Sequence, residues 1–238
     1  MHSLPLVSCI MPTANRRSFV AQAVRYFLAQ DYGAKELVIV DDGADPVANL
    51  VPEDEGVRYV RLGEPQSVGA KRNIANQQAR GEILVHWDDD DWSAPWRLRY
   101  QVDQLLAVQA DICGLDCIWF CTPEEQRAWE YVYPRGERLW VYGATLAYTR
   151  IFWEKHRFPE INVDEDTRFV WADARAKIHV LTDSRFLVAR VHAGNISPKR
   201  TADARYQPRQ VEDRPEPSPF TLAANMSGLG KNGTASMS

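Results

Sequence analysis

Little in this sequence points to a membrane, a nucleic acid or a disulfide framework. No apolar stretch approaches the roughly 20 residues that a transmembrane helix needs. The 238 residues carry 28 Lys and Arg against 32 Asp and Glu, a formal net charge of −4. Broad attraction to nucleic acid or to an anionic bilayer is therefore not expected. The start, Met1-His2-Ser3-Leu4-Pro5, lacks a basic segment followed by a long apolar one. No signal peptide is expected, and the reading is a cytoplasmic protein that at most sits peripherally at the inner membrane face. Cysteine is scarce, with only Cys9, Cys113, Cys117 and Cys121. The last three recur every four residues in what reads as a strand, which puts them on one face. Small, buried, reduced side chains are expected there rather than a metal or redox centre. No internal repeat is evident. The first strand-to-helix turn, Pro12-Thr13-Ala14-Asn15, contains no glycine.

What is present is ordinary globular material: 45% hydrophobic residues, enough for a sizeable core in one large α/β domain. The first half alternates strand and helix patterns. Leu6 to Met11 reads as a strand ended by Pro12, Ser18 to Gln30 as an amphipathic helix, and Glu36 to Val40 as a buried strand. Val57 to Leu62 is a third strand, and Ser67 to Ala79 a helix stopping before Gly81. Such alternation predicts a mostly parallel sheet with right-handed crossovers. From Pro95 a helix runs to about Val108. The runs Ile112 to Cys121 and Arg127 to Tyr133 suggest a hairpin. Trp140 to Phe152 and Ile178 to Val191 suggest more sheet, with a short helix near Glu165 to Ala174. The expectation is one domain over residues 1–207, with a nucleotide-binding half over about 1–91 and a more antiparallel half over 92–207. Residues 208–238 read as a flexible tail rich in Pro, then Gly and Ser.

The most informative segment is Asp88-Asp89-Asp90-Asp91, directly after the apolar run Ile83-Leu84-Val85-His86-Trp87. Four adjacent carboxylates repel one another, and burying them unpaired is costly. A cation offsets that cost, and an all-oxygen ligand set selects hard divalent ions, Mg²⁺ or Mn²⁺. The end of a strand is also where open α/β sheets bind ligands. The plain alternative is a solvated acidic turn.

Five segments then fall in order: Met11-Pro12-Thr13-Ala14-Asn15-Arg16, Val40-Asp41-Asp42-Gly43, Val68-Gly69-Ala70-Lys71-Arg72-Asn73, the aspartate tetrad, and Glu165-Asp166. Together they resemble family 2 glycosyltransferases of the GT-A fold, over about residues 5 to 198. The resemblance implies a nucleotide-binding half joined to an acceptor half. Pro12, Thr13 and Asn15 would lie beside the nucleotide, with Ala14 where an aromatic residue is common. Asp41 or Asp42 would accept a hydrogen bond from the base. Arg72 would hold a base carbonyl or a phosphate, a role suited to its fixed fork of donors. Its neighbour Lys71 is expected on a solvated helix face. The Asp-x-Asp-Asp pattern aligns with the tetrad, so Asp88 would hold the ribose and Asp90 the metal. Asp89 fills the variable position, and Asp91 is a turn residue or one lying behind the ligands. Glu165 and Asp166 would sit near the acceptor, with Asp166 as general base. Asp164 departs from the glycine common before that pair. His192, in Val191-His192-Ala193-Gly194-Asn195-Ile196-Ser197, would add a metal or diphosphate contact. His86 is expected to be structural.

Small residues at Gly143-Ala144-Thr145 could form a wall beside the donor sugar. Of eight tryptophans, Trp92 and Trp140 are the first choices for stacking on a sugar. The implied activity is a metal-dependent, inverting, hexosyltransferase-type reaction with Mn²⁺ or Mg²⁺. The donor would be a nucleoside diphosphate sugar, with a UDP-sugar expected. The acceptor is a hydroxyl on a glycan, a lipid-linked glycan or a small molecule. Two rivals stand beside it: a sugar-phosphate nucleotidyltransferase, which the glycine-free first turn opposes, and a non-catalytic sugar-nucleotide-binding module.

Overall fold

A computed structural model describes residues 4–122, 126–134, 136–197 and 199–215. Residues 216–238, most of the expected tail, lie outside the described residues, as do 1–3 of the N-terminus. The parallel sheet is built first. Strands β1 (Val7–Thr13), β2 (Lys35–Asp41), β3 (Val57–Arg61) and β4 (Ile83–His86) are joined by helices α1 (Arg17–Leu28) and α2 (Val68–Gln78). β1 pairs in parallel with both β2 and β4, and β2 with β3. The β1–β4 ladder ends at Ile10 and His86. Pro12, which was expected to end β1, therefore lies within the strand at a point where only β2 pairs with it, so its missing N–H costs little.

After the short β5 (Trp92–Ser93) and helix α3 (Arg97–Ala107), the chain builds the second half. It comprises β6 (Ile112–Gly114), β7 (Cys117–Thr122), β8 (Arg127–Val132), β9 (Ala147–Thr149), α4 (Arg150–Lys155), α5 (Glu165–Val170), β10 (Ile178–Val180), β11 (Leu187–Arg190) and β12 (Tyr206–Arg209). The large sheet has seven strands in the order β10-β6-β9-β4-β1-β2-β3, and β9 runs antiparallel to both β4 and β6. The second sheet has five strands in the order β12-β8-β7-β11-β5.

The period-2 alternation of β1, β2 and β4 feeds two cores. Cys9, Met11, Leu37, Ile39 and Val85 face Val20, Val24 and Phe27 of α1. Ile10, Val38, Val40 and Leu84 face Ala75, Phe152, Trp153 and Phe169. Residues 20, 23, 24 and 27 of α1 are the buried ones, the i, i+3, i+4, i+7 stripe of an amphipathic helix. Ser67 caps α2, its Oγ accepting the N–H of Ala70 at 3.2 Å.

Three further expectations need correction. The run Ile112 to Cys121 is two strands in two sheets, because the chain bends at Leu115 and Asp116. Leu115 N–H donates to Thr145 Oγ1 at 2.8 Å and Leu115 C=O accepts from Tyr142 N–H at 2.7 Å, which fixes the bend. Cys113 and Cys117 therefore do not share a strand face, although all four cysteines are free thiols. Of Trp140 to Phe152 only Ala147–Thr149 is strand; a 3-10 turn spans Gly143–Thr145 and α4 begins at Arg150. Pro208 and Arg209, assigned to the tail, instead pair with Trp129 and Ala128 as the end of β12. No described helix is long and apolar enough to cross a membrane.

Candidate active site

The carboxyl ends of β1 and β4 open into a cleft of about 800 Å³, where the order of the parallel strands reverses direction. Its floor is braced from below. Arg97 is buried under the tetrad and donates to His86 C=O (2.7 Å), Ala144 C=O (2.9 Å), Ser93 Oγ (2.9 Å) and Gln101 Oε1 (2.9 Å). Burial draws its pKa down to about 10, so it remains a cation at neutral pH. Nothing in the sequence pattern singled out this arginine within an otherwise ordinary amphipathic helix.

The four aspartates fan out, each to its own partner. Asp88 Oδ1 lies 3.5 Å from Arg72 Nη2. Asp89 Oδ2 accepts from Thr13 Oγ1 at 2.6 Å. Asp90 Oδ2 accepts from Arg16 Nη1 at 2.7 Å and lies 2.9 Å from His192 Nε2. Asp91 Oδ1 accepts the backbone N–H of Arg190 at 3.0 Å. The solvated-turn alternative fails, because Asp89 is buried and the other three are only partly exposed. Burial, with Asp90 adding to it, pushes the Asp89 carboxyl up to about 7. Burial and then the charges of Asp90 and Asp88 hold Asp91 well above the usual carboxylate range. Asp88 is raised by burial, with Arg72 opposing.

These groups fit a divalent cation. Among the described residues no three His, Cys, Asp or Glu side chains form a ready metal cluster. Yet Asp90 Oδ1 and Asp88 Oδ2 make no hydrogen bond among the described residues, and His192 adjoins Asp90. One or two carboxylates completed by substrate phosphate oxygens is the usual way an ion such as Mg²⁺ is held. Gly194 N–H donates to His192 Nδ1 at 3.1 Å, and Nε2 is turned towards Asp90. Phe19 stacks on the same ring at 4.7 Å. Arg16 also reaches His192 Nε2, at 3.2 Å, and completes the positive lining here.

Arg72 ties this half to the acidic pair. It is buried between Asp88 and Glu165, with Nε donating to Glu165 Oε1 at 3.3 Å. Burial alone would lower its pKa, but Asp88, Glu165 and Asp166, with a further contribution from Tyr148, together outweigh that and raise it. Burial raises Glu165, with Arg72 opposing. Asp166 lines the cleft; its Oδ1 accepts the N–H of Thr167 at 2.7 Å. A Cβ on Gly143 would come within 1.8 Å of Asp166 Oδ2, so only glycine lets that backbone approach the carboxylate. Gly143 therefore supports Asp166 from behind, and Ala144 is the neighbour that lines the cleft. Asp164 takes the left-handed conformation at φ 67°, a backbone region that favours glycine.

The structure brings Pro12, Thr13, Arg72, Asp88, Asp89, Asp90, Glu165 and Asp166 together on the cleft wall. Asp41, Asp42, Asn15 and Gly143 stand behind it. Asp41 is fully buried, closing its own loop by accepting from Gly43 N–H (2.8 Å), Val47 N–H (3.0 Å) and Tyr59 OH (2.7 Å). Asn15 is left-handed at φ 56°, and its N–H lies 2.4 Å from where a Gly43 Cβ would be. Lys71 is not on a solvated face. It is buried in an ion pair with Asp42 at 2.8 Å and donates to Thr13 C=O at 3.1 Å. Trp92 is a buried residue away from this cleft, whereas Trp140 lines it. His86 is buried with Nδ1 2.7 Å from Gly143 O. Lys199, not singled out in the sequence, offsets by its charge a small part of the rise that burial causes at Asp88 and Asp91.

A family model described as glycosyl transferase family 2 matches residues 8–161. The chain belongs to glycosyl transferase family 2. A putative colanic acid biosynthesis glycosyl transferase, WcaA of Escherichia coli, is 29% identical over 71% of this chain and 63% of its own length. An uncharacterized glycosyltransferase of Haemophilus influenzae is 30% identical over 44% of each chain. This chain thus spans less than two thirds of these relatives' lengths. Among solved structures, S. aureus TarS with UDP-GlcNAc superposes at a TM-score of 0.66 with 21% identity, over 80% of this chain and 60% of that one. The mannosyltransferase PcManGT of Pyrobaculum calidifontis, in complex with GDP-Man and Mn²⁺, gives 0.63 and 21% over 83% and 59%. The fold of this family 2 chain is thus the GT-A fold expected of it.

Proposed function

We propose that this family 2 chain is a divalent-metal-dependent, inverting glycosyltransferase. It moves a sugar from a nucleoside diphosphate sugar, a UDP-sugar, to a hydroxyl acceptor. The observation that carries the reading is the line Asp88–Arg72–Glu165, which joins the tetrad to the helix start bearing Asp166 across one cleft. The donor diphosphate belongs on the tetrad side, where Arg16, Lys71 and Arg72 supply positive charge. Asp166 faces the same space and acts as general base. It takes the acceptor O–H proton as that oxygen bonds to the anomeric carbon and the bond from that carbon to the diphosphate breaks. Attack opposite the leaving diphosphate inverts the anomeric centre in one displacement. When bound at Asp90 and His192, a divalent ion would offset the diphosphate charge. Arg72, held by two carboxylates, is pre-set for a base carbonyl or phosphate and loses little freedom on binding. Bound UDP and UDP-GlcNAc in TarS, and GDP-Man with Mn²⁺ in PcManGT, support a nucleotide-sugar donor and metal use, although they differ in the base. The expected domain is a donor half on the parallel sheet and an acceptor half on the five-stranded sheet.

Calorimetry with UDP and with GDP, each with Mn²⁺ and with EDTA, tests this. The expected result is UDP binding that strengthens at least tenfold with Mn²⁺ and exceeds GDP binding. Equal UDP affinity in Mn²⁺ and EDTA would remove the metal assignment, and tighter GDP binding would change the donor.

A further inference from the structure

Besides the tetrad, the cleft is lined by a cluster of aromatic side chains with Lys199 and Arg205 at its rim. Tyr131 of β8, Trp140 and Tyr142 of the following segment and Tyr206 of β12 all line it. Trp140 is held in one orientation from several directions. Tyr133, which does not line the cleft, lies against it at 5.0 Å and 31°. Tyr142 and Tyr131 meet it nearly edge-on, at 5.5 Å and 85° and at 6.1 Å and 66°. The indole Nε1–H donates to Thr167 Oγ1 at 3.2 Å. Thr167 is the residue whose N–H binds Asp166 Oδ1, so the indole and the base share an anchor. A ring packed by three neighbours and tied at its Nε1 loses little freedom when a ligand in the cleft packs against it.

We infer that this wall is the acceptor subsite, and that its occupant is a pyranose ring lying with its C–H face on Trp140. The inference rests on the transferase reading above. The polar rim argues for a sugar over an isoprenoid chain. Tyr142 OH accepts from Lys199 Nζ at 2.8 Å and Tyr131 OH accepts from Arg205 Nη1 at 3.3 Å. Each phenol keeps its own proton to donate to a sugar oxygen. A lipid tail would leave these donors without acceptors, whereas a pyranose presents both an apolar face and a ring of hydroxyls. One such hydroxyl, reaching past the edge of Trp140 towards Thr167, arrives at Asp166.

The test uses the full chain saturated with UDP and Mn²⁺, and a panel of methyl α- and β-glycosides of glucose, galactose, mannose and N-acetylglucosamine. Saturation-transfer NMR should show at least one glycoside bound, with its strongest contacts on the ring C–H protons of one face. Trp140→Leu should weaken that glycoside about tenfold and Trp140→Phe less. Thermal melting checks that each variant is folded, and the Phe variant keeps the comparison if the Leu variant does not fold. A wild-type protein that binds UDP but no glycoside, or a glycoside bound equally by wild type and the folded Trp140 variants, overturns the platform. Failure of UDP itself to bind overturns the transferase reading and the subsite with it. Binding of a polyprenyl phosphate with contacts confined to its chain would replace the sugar by a lipid.

Discussion

The two walls of the cleft are built on opposite plans. On the tetrad side, charged groups are buried and matched pair by pair: Asp42 with Lys71, Asp88 with Arg72, Asp90 with Arg16. On the far side, rings meet edge to face, and the nearest cations rest on phenol oxygens. The first wall hangs on the ends of adjacent strands, where register sets each carboxylate within hydrogen-bond distance of its partner. The second is drawn from a loop and from the small sheet, and its order comes from ring packing. A wall of paired charges suits a diphosphate and a cation. A wall of rings suits a ligand recognised by shape. Asp166 stands at the seam and should be the position where the two requirements separate most clearly.

The largest expected effect is at that seam. Asp166→Asn should lower kcat by about 10²-fold or more, while UDP affinity, which depends on the other wall, changes by less than about threefold in calorimetry. A comparable loss of UDP binding would erase the distinction between the walls. Gly143→Ala forces a Cβ to within 1.8 Å of the Asp166 carboxylate unless something shifts. It should cost on the order of 10²-fold in kcat through misplacement of the Asp166 carboxylate, read in the same assay. On the charged wall, Arg72→Lys should weaken UDP about tenfold although the charge is kept. Glu165→Gln should act in the same direction as Arg72→Lys, because Glu165 holds Nε of that guanidinium. If Glu165→Gln instead abolishes transfer with UDP affinity intact, Glu165 belongs to the chemistry.

Within the tetrad, Asp90→Asn should reduce Mn²⁺-assisted UDP binding more than Asp91→Asn. Asp91 serves a backbone N–H, which an asparagine oxygen can still accept. The smallest effect is on stability. Folding raises the Asp89 carboxyl from its ordinary 3.8 to about 7, chiefly by burial. The folded state therefore holds more protons than the unfolded one across that window. The contribution of Asp89 to stability is fully present below about pH 4 and is lost as pH rises towards 7. In EDTA, urea unfolding of the wild type should fall off more steeply between pH 5 and 8 than that of Asp89→Asn. Added Mn²⁺ should recover most stability at the alkaline end. Parallel profiles for the two proteins would show that the tetrad bears its charge without strain.

The parallel half was the most legible part of the chain. Its apolar runs of four to six residues and the 3.6-residue stripe of α1 are set by short-range periodicity, which a sequence displays directly. The tetrad was legible too, since four adjacent carboxylates demand partners wherever they lie. Lys71 was misjudged because helical spacing alone separates it from Arg72. The close approach of α2 to β1 lets its long side chain turn inward to Asp42 and Thr13. The run Ile112 to Cys121 was misread because alternation is blind to which sheet receives a strand. Only the hydrogen bonds at Leu115 decide that.

Composition and local pattern by themselves determined that this chain forms a parallel α/β core with an acidic strand end suited to a cation, because those properties follow from residues near one another in sequence. Tertiary structure alone decided which carboxylates stay free and which are spent. Asp41 and Asp42 look alike in sequence, yet one closes its own loop and the other neutralises Lys71. It also decided that Trp140, among eight tryptophans, is tied to Thr167 beside Asp166, 27 residues away along the chain. Burial and pairing energies depend on neighbours across the fold, and no short window of sequence contains them.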